Sequence, residues 1–160
     1  MYKDLVMIGL THHKTFSDCD RSVDCVFVLD QSGSVGIINH GIAIRFIQNI
    51  VAFFSIRLNQ TRIGFVSYSE YAYLEFDLND YTTLNSLLLR IGNIYYTGGS
   101  TSTGRALNLA GNVLNPDLNH GARPDDDGIP KIVVLITGTR MAIRISLLSI
   151  IHAARCVVYD

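Results

Sequence analysis

Apolar and polar positions along the chain fall into runs of two different periods, and their alternation predicts the fold. From Cys25 to Leu29 the apolar run is unbroken and stops at Asp30. That is how a strand covered on both faces reads, as in a central position of a parallel sheet. The polar turn Gln31-Ser32-Gly33-Ser34-Val35-Gly36 follows, and then Ala43, Ile47, Ile50, Val51, Phe54 and Leu58 recur at the spacing of one helical face. Residues 62–68 and 72–78 are strand-like, and the link between them is too short for a parallel crossover, so they form an antiparallel hairpin. Residues 82–92 and 103–114 read as helices. Ile132 to Ile136 is a second unbroken strand run, 141–155 is helical in pattern, and Cys156 to Tyr159 begins a final strand. Pro116, Pro124 and Pro130, with Asp117 and Asp125 to Asp127, mark 115–130 as a surface loop. The expected fold is α/β, a doubly wound and mostly parallel sheet with one antiparallel edge strand.

Composition narrows the function classes. Lys and Arg number 13 against 14 Asp and Glu, a net charge of -1. A protein that binds a phosphate backbone needs a basic excess, so nucleic acid is excluded as a partner. Charged residues are 17% of the 160, below the roughly 25% usual for soluble domains, and 48% are hydrophobic, which implies a large core or a sticky surface. No run of about 18 apolar residues occurs, so no membrane span is expected. Residues 1–21 hold no sustained period and read as a leader or linker. The Leu5 to Leu10 stretch is too short for the apolar part of a signal peptide. Of the three cysteines, Cys25 and Cys156 lie in apolar runs and read as buried thiols. Cys19 lies in polar sequence and is free to pair outside the fold.

In open α/β sheets ligands bind beyond the carboxyl ends of the strands. Three polar segments converge there: Asp30 to Ser34, Gly98 to Gly104, and Thr137-Gly138-Thr139-Arg140. One carboxylate among several hydroxyls is an oxygen-only set suited to a hard cation such as Mg²⁺, which keeps waters and accepts an outside ligand. Competing readings are weaker. Gly99 to Gly104 mimics a phosphate loop, but Arg105 and Ala106 stand where lysine and a hydroxyl are needed. Ser32-Gly33-Ser34-Val35-Gly36 is a near miss of the nucleophile elbow, with Ser32 in place of its first glycine. A serine hydrolase using Ser34 is therefore the enzyme alternative. His12-His13 and the run Asp125 to Asp127 are most simply solvated. Asn59-Gln60-Thr61 is an N-glycosylation acceptor triplet in a helix-to-strand turn.

The chain from 22 to 160 resembles a von Willebrand factor type A (vWA) domain of the kind found in collagens and matrilins. The resemblance rests on Val26-Phe27-Val28-Leu29-Asp30-Gln31-Ser32-Gly33-Ser34-Val35, Arg62-Ile63-Gly64-Phe65-Val66 with Tyr68-Ser69, and Phe76-Asp77-Leu78-Asn79-Asp80-Tyr81. It continues through Gly99-Ser100-Thr101-Ser102-Thr103-Gly104-Arg105-Ala106-Leu107 and Lys131-Ile132-Val133-Val134-Leu135-Ile136-Thr137. It implies an extracellular, non-enzymatic adhesion module that binds a matrix or cell-surface protein; intracellular vWA scaffolds are the other implied class. It also implies a metal-ion-dependent adhesion site (MIDAS), with Asp30, Ser32 and Ser34 matching D-x-S-x-S and Thr101 matching the loop threonine. The family's last ligand is an aspartate in a Thr-Asp-Gly pattern, and Gly138 stands in its place. With one carboxylate instead of two, Mg²⁺ binding is expected to be weakened. Such domains are often flanked by cysteines that join chains, which makes Cys19 a candidate for a disulfide-linked oligomer. The family continues past this point with another strand and a closing helix, so the chain reads as C-terminally truncated, with an exposed sheet edge.

Overall fold

The structure, a computed structural model, describes residues 22–138. Its elements are β1 (Asp24–Asp30), α1 (Gly36–Val51), β2 (Arg62–Tyr68), β3 (Ala72–Phe76), α2 (Leu84–Gly92), α3 (Thr103–Val113) and β4 (Lys131–Ile136). The four strands form one sheet in the order β3-β2-β1-β4. β1 pairs in parallel with β2 from Asp24↔Arg62 to Asp30↔Tyr68, and in parallel with β4 from Asp24↔Lys131. β3 runs antiparallel to β2, with Tyr68 opposite Ala72.

The unbroken apolar run of β1 is explained by helices on both faces. Successive strand residues point to opposite sides, and in β1 both sides are covered. Cys25, Phe27 and Leu29 pack with Ile47 of α1 and with Leu87 and Ile91 of α2. Val26 and Val28 pack with Val66, Tyr68 and, from α3, Ala106, Ala110 and Val113. Aromatic rings tie the first core together: Phe65 stacks beside Phe27 and tilts against Phe76, which meets the ring of Tyr81 edge-on. The doubly wound, mostly parallel sheet with an antiparallel edge is thus the observed architecture.

Two expectations are corrected. The helical period suggested one helix through Leu58, but α1 ends at Val51. Beyond it, the N–H groups of Phe53 and Phe54 donate to Ile50 and Val51 three residues back, a tighter winding than α-helix. Phe54 tucks into the core, Ile56 bridges Thr61, and Leu58 is left exposed. The loop at 115–130 is also less purely superficial than its prolines suggest, because Arg123 is buried against β1. No helix among the described residues is long and apolar enough to cross a membrane. Cys25 is buried, and burial, with the charge of Asp24 adding to it, pushes its thiol far above the ordinary range. Residues 1–21, Cys19 and Cys156, and the helix and strand expected over 141–159 lie outside the described residues.

Candidate metal centre at the carboxyl rim of the sheet

Because β1, β2 and β4 are parallel, their carboxyl ends share one rim. Asp30 is the last residue of β1 and is 1% exposed. One carboxylate oxygen, Oδ1, accepts the backbone N–H of Ser32 at 2.8 Å, a local turn that Asp makes readily. The other, Oδ2, accepts the hydroxyl of Thr137 at 2.8 Å, where the chain leaves β4. The Ser32 and Ser34 hydroxyl oxygens lie 3.1 Å apart. Ser32 is buried and Ser34 is exposed, so this hydroxyl pair opens toward solvent.

A second loop, residues 95–102, closes on the first. The N–H of Gly33 donates to the carbonyl of Gly99 at 2.8 Å, and the Tyr96 hydroxyl donates to the carbonyl of Ser32 at 3.1 Å. Gly99 has φ +103°, which only glycine adopts at little cost, and that conformation lets its carbonyl reach the first loop. Gln31 is a buried clasp between the loops. Its amide nitrogen donates to the carbonyl of Tyr95 at 2.7 Å, and its amide oxygen accepts the Thr97 hydroxyl at 3.1 Å. The Ser102 N–H donates to the Ser69 carbonyl at 2.8 Å, fixing the start of α3 above β2. Burial pushes the Tyr68 phenol up; the Thr103 hydroxyl opposes the shift and the charge of Asp30 adds to it.

The structure therefore brings Asp30, Ser32 and Ser34 together. Thr101 is exposed on the clasped loop, and makes no hydrogen bond to those three among the described residues. Thr137, Gln31, Thr97 and Tyr96 support the rim and were not singled out by residue type. Gln31 carried no signal, since a glutamine in a polar turn reads as solvated. Gly138 does not need its glycine for a left-handed backbone. A Cβ there would instead lie 2.5 Å from Cγ2 of Val35 and 3.1 Å from its Cα, closer than real contacts allow. Among the described residues the Ser34 hydroxyl pairs with that of Ser32 and His40 is engaged with Gln31; His152, the downstream histidine that the elbow reading would use, lies outside the described residues.

Charge decides whether the donor set suits a cation. Asp30 is buried, yet among the described residues no Lys, Arg or His pairs with it; its partners, the Ser32 N–H and the hydroxyls of Thr137 and Tyr68, are neutral donors. A buried carboxylate without a positive partner is costly. The neighbouring hydroxyl oxygens are hard donors, so the set fits a small divalent cation.

The von Willebrand factor type A domain model matches residues 24–157. The chain belongs to the vWA family. Among its relatives, mouse collagen alpha-4(VI) chain is 36% identical over 115 residues, covering 71% of this chain and 5% of the collagen. Human vitrin is 35% identical over 122 residues, covering 76% of this chain and 17% of vitrin. The Caenorhabditis elegans transmembrane cell adhesion receptor mua-3 is 32% identical over 123 residues, covering 75% of this chain and 3% of the receptor. This vWA chain thus spans a small part of its curated relatives. In fold it is similar to proximal thread matrix protein 1 of the mussel byssus, with a TM-score of 0.67 at 24% identity, over 77% of this chain and 32% of that one. Another structure of that mussel protein has zinc in its MIDAS motif.

Proposed function

We propose that this vWA chain is a non-enzymatic, extracellular adhesion module that binds an acidic group of a matrix or cell-surface protein through a Mg²⁺-type cation. The observation that carries this reading is the buried carboxylate of Asp30, whose partners among the described residues are all neutral. Asp30, Ser32, Ser34 and Thr101 would hold the cation. When bound, the cation supplies an open coordination position for a ligand carboxylate. The chain's own residues do the rest. Asp30 contributes the formal charge, and Thr137 fixes the carboxylate's orientation. The Ser32–Ser34 pair presents oxygens to solvent, and Gln31 keeps the loop of Thr101 against that of Asp30. Gly138 leaves the set one carboxylate short of the family pattern, which supports weak rather than tight cation binding. The extracellular placement is supported by the matrix and adhesion relatives. Residues 22–160 are proposed as the module, with 1–21 as leader or linker and Cys19 available for a disulfide to a second chain.

The test is thermal unfolding with Mg²⁺ and with chelator. A cation that binds only the folded state raises stability as its concentration exceeds its Kd. The wild-type chain is expected to show a Mg²⁺-dependent rise in Tm, and Asp30→Asn to abolish it. In chelator, Asp30→Asn is expected to stay within about 1 kcal/mol of wild type, because the amide keeps an acceptor and removes an unpaired buried charge. A wild-type chain whose Tm ignores millimolar Mg²⁺ and other divalent cations overturns the cation site.

A further inference from the structure

The Asn59-Gln60-Thr61 triplet takes no part in the rim. Asn59 is exposed on the turn that leads from α1 to β2, where the Gln60 N–H donates to the Arg57 carbonyl at 3.0 Å. The carbonyl of Asn59 accepts the hydroxyl of Ser22 at 3.4 Å, so the turn stands beside the entry to β1. Arg62 opens β2 level with Asp24, at the end of the sheet opposite Asp30. At about 3.3 Å per residue, the strand separates this turn from the carboxyl rim by roughly 20 Å. Leu58, next to Asn59, is a large apolar side chain 58% exposed to water.

We infer that Asn59 is the attachment site of an N-linked oligosaccharide, an assignment that rests on the extracellular placement proposed above. Two features of the turn support it. The asparagine is itself exposed on the turn, so a substituent on its amide does not start from a buried position. The sugar would project from the end of the sheet away from Asp30, leaving the rim free and covering the apolar surface at Leu58. The co-reactant is a polyprenyl-diphosphate-linked oligosaccharide. The Asn59 amide nitrogen forms a bond to the anomeric carbon of the first sugar and gives up one proton to a base. The anomeric carbon–phosphate oxygen bond breaks, and the lipid diphosphate leaves with the electron pair. Thr61 is only 2% exposed in the fold, so its hydroxyl is available to the transferase before the turn closes and not afterwards.

The experiment translates the full chain behind a cleavable leader in the presence of microsomes. The protease-protected product is then treated with a glycosidase that converts a modified asparagine to aspartate. The expected result is a glycosidase-sensitive mass increase, with conversion mapped to Asn59, lost in Asn59→Gln and retained in Thr61→Ser. A protease-protected wild-type product without the sugar overturns the assignment, whatever the variants do. Chain recovered inside cells of its source, with Asn59 bare while the microsomal product is modified, would overturn the extracellular placement and leave the acceptor assignment standing. A second readout is the Mg²⁺-dependent shift in Tm. It is expected to be equal for glycosylated and Asn59→Gln protein, and a sugar-dependent shift would overturn the location of the glycan away from the rim.

Discussion

The two carboxylates that bracket β1, Asp24 and Asp30, are 0% and 1% exposed, yet they are satisfied by opposite means. At the amino end, Asp24 meets Arg123. The guanidinium donates Nη2–H and Nε–H to Oδ1 at 2.6 and 3.0 Å, and the Arg123 backbone N–H donates to Oδ2 at 2.9 Å. At the carboxyl end, Asp30 has the Ser32 backbone N–H and the hydroxyls of Thr137 and Tyr68, with no cationic partner among the described residues. Burial is the same, so the difference lies in charge compensation. An ion pair completed within the chain fastens the 115–130 loop to the sheet and leaves nothing for a ligand. A buried carboxylate left uncompensated is a standing demand for a positive charge from outside. That contrast, more than the D-x-S-x-S spacing, supports the proposal that the carboxyl rim is the functional end.

The largest expected effect breaks the completed pair. Arg123→Ala leaves Asp24 buried and unpaired, which typically costs about 3–5 kcal/mol. Urea unfolding should show that loss, and Asp24→Asn combined with Arg123→Met should recover much of it, since removing both charges removes the debt of each. A loss below about 1 kcal/mol for Arg123→Ala would mean that water compensates Asp24, and the contrast with Asp30 would collapse.

A second substitution sharpens the other end. Gly138→Asp adds a carboxylate to the rim, but its Cβ must displace Val35, at 2.5 Å from Cγ2. Overpacking of this kind costs about 1–3 kcal/mol, and the added charge stands near one that is already unpaired. In chelator the variant should therefore melt below wild type. In Mg²⁺ it should recover more than wild type gains, because hard-cation affinity follows ligand charge. A folded Gly138→Asp protein with no added Mg²⁺ response would show that position 138 does not reach the cation set.

These effects also measure how much was legible in the sequence. Strand β1 was legible because burial on both faces leaves an unbroken apolar run. β4 carries an equally unbroken run although Val133 is exposed among the described residues, and β2 was legible from its strand-like run and its hairpin link to β3. The end of α1 was not, since Phe54 and Leu58 continue the helical period after the backbone has already turned away. Asp30, Ser32 and Ser34 were legible as a local polar turn, and the structure places them together. The ion pair of Asp24 was not, because its partner is 99 residues away and no local pattern announces it. Gly138 read as a missing charge; the fold adds that Val35 occupies the space a side chain would need.

The clasp of Gln31 separates geometry from charge at the rim. Gln31→Leu keeps most of the volume but removes the clasp bonds to the Tyr95 carbonyl and the Thr97 hydroxyl, the latter retaining longer contacts to Ser69 and Gly98. Losing these part-buried hydrogen bonds, on residues that reach solvent, costs about 1 kcal/mol. If the clasp positions the loop of Thr101 for a cation, the Mg²⁺-dependent rise in Tm should shrink as well, while Asp30 itself is untouched. An unchanged Mg²⁺ response beside the stability loss would confine Gln31 to packing, and would argue against Thr101 as a ligand.

The smallest expected effect concerns why His40 does not compensate Asp30. His40 is 5% exposed on α1 and contacts Gln31, with its ring centroid 5.6 Å from that of Tyr96. Burial pushes its pKa below the ordinary 6.5, opposed by the charge of Glu75, so the fold favours the neutral imidazole. The unfolded chain then holds the extra proton first as pH falls. By linkage, stability is full above about pH 6.5 and declines as pH drops through that value toward the folded pKa. His40→Gln should flatten this part of the profile, by less than about 1 kcal/mol between about pH 8 and pH 5. The check is the urea midpoint of both proteins at the two pH values in chelator, where the carboxylates common to both cancel. A wild-type chain that instead gains stability relative to His40→Gln on acidification would mean that His40 charges in the fold. The imidazolium would then supply a positive charge on the Asp30 side of the sheet, and the demand for an outside cation would weaken accordingly.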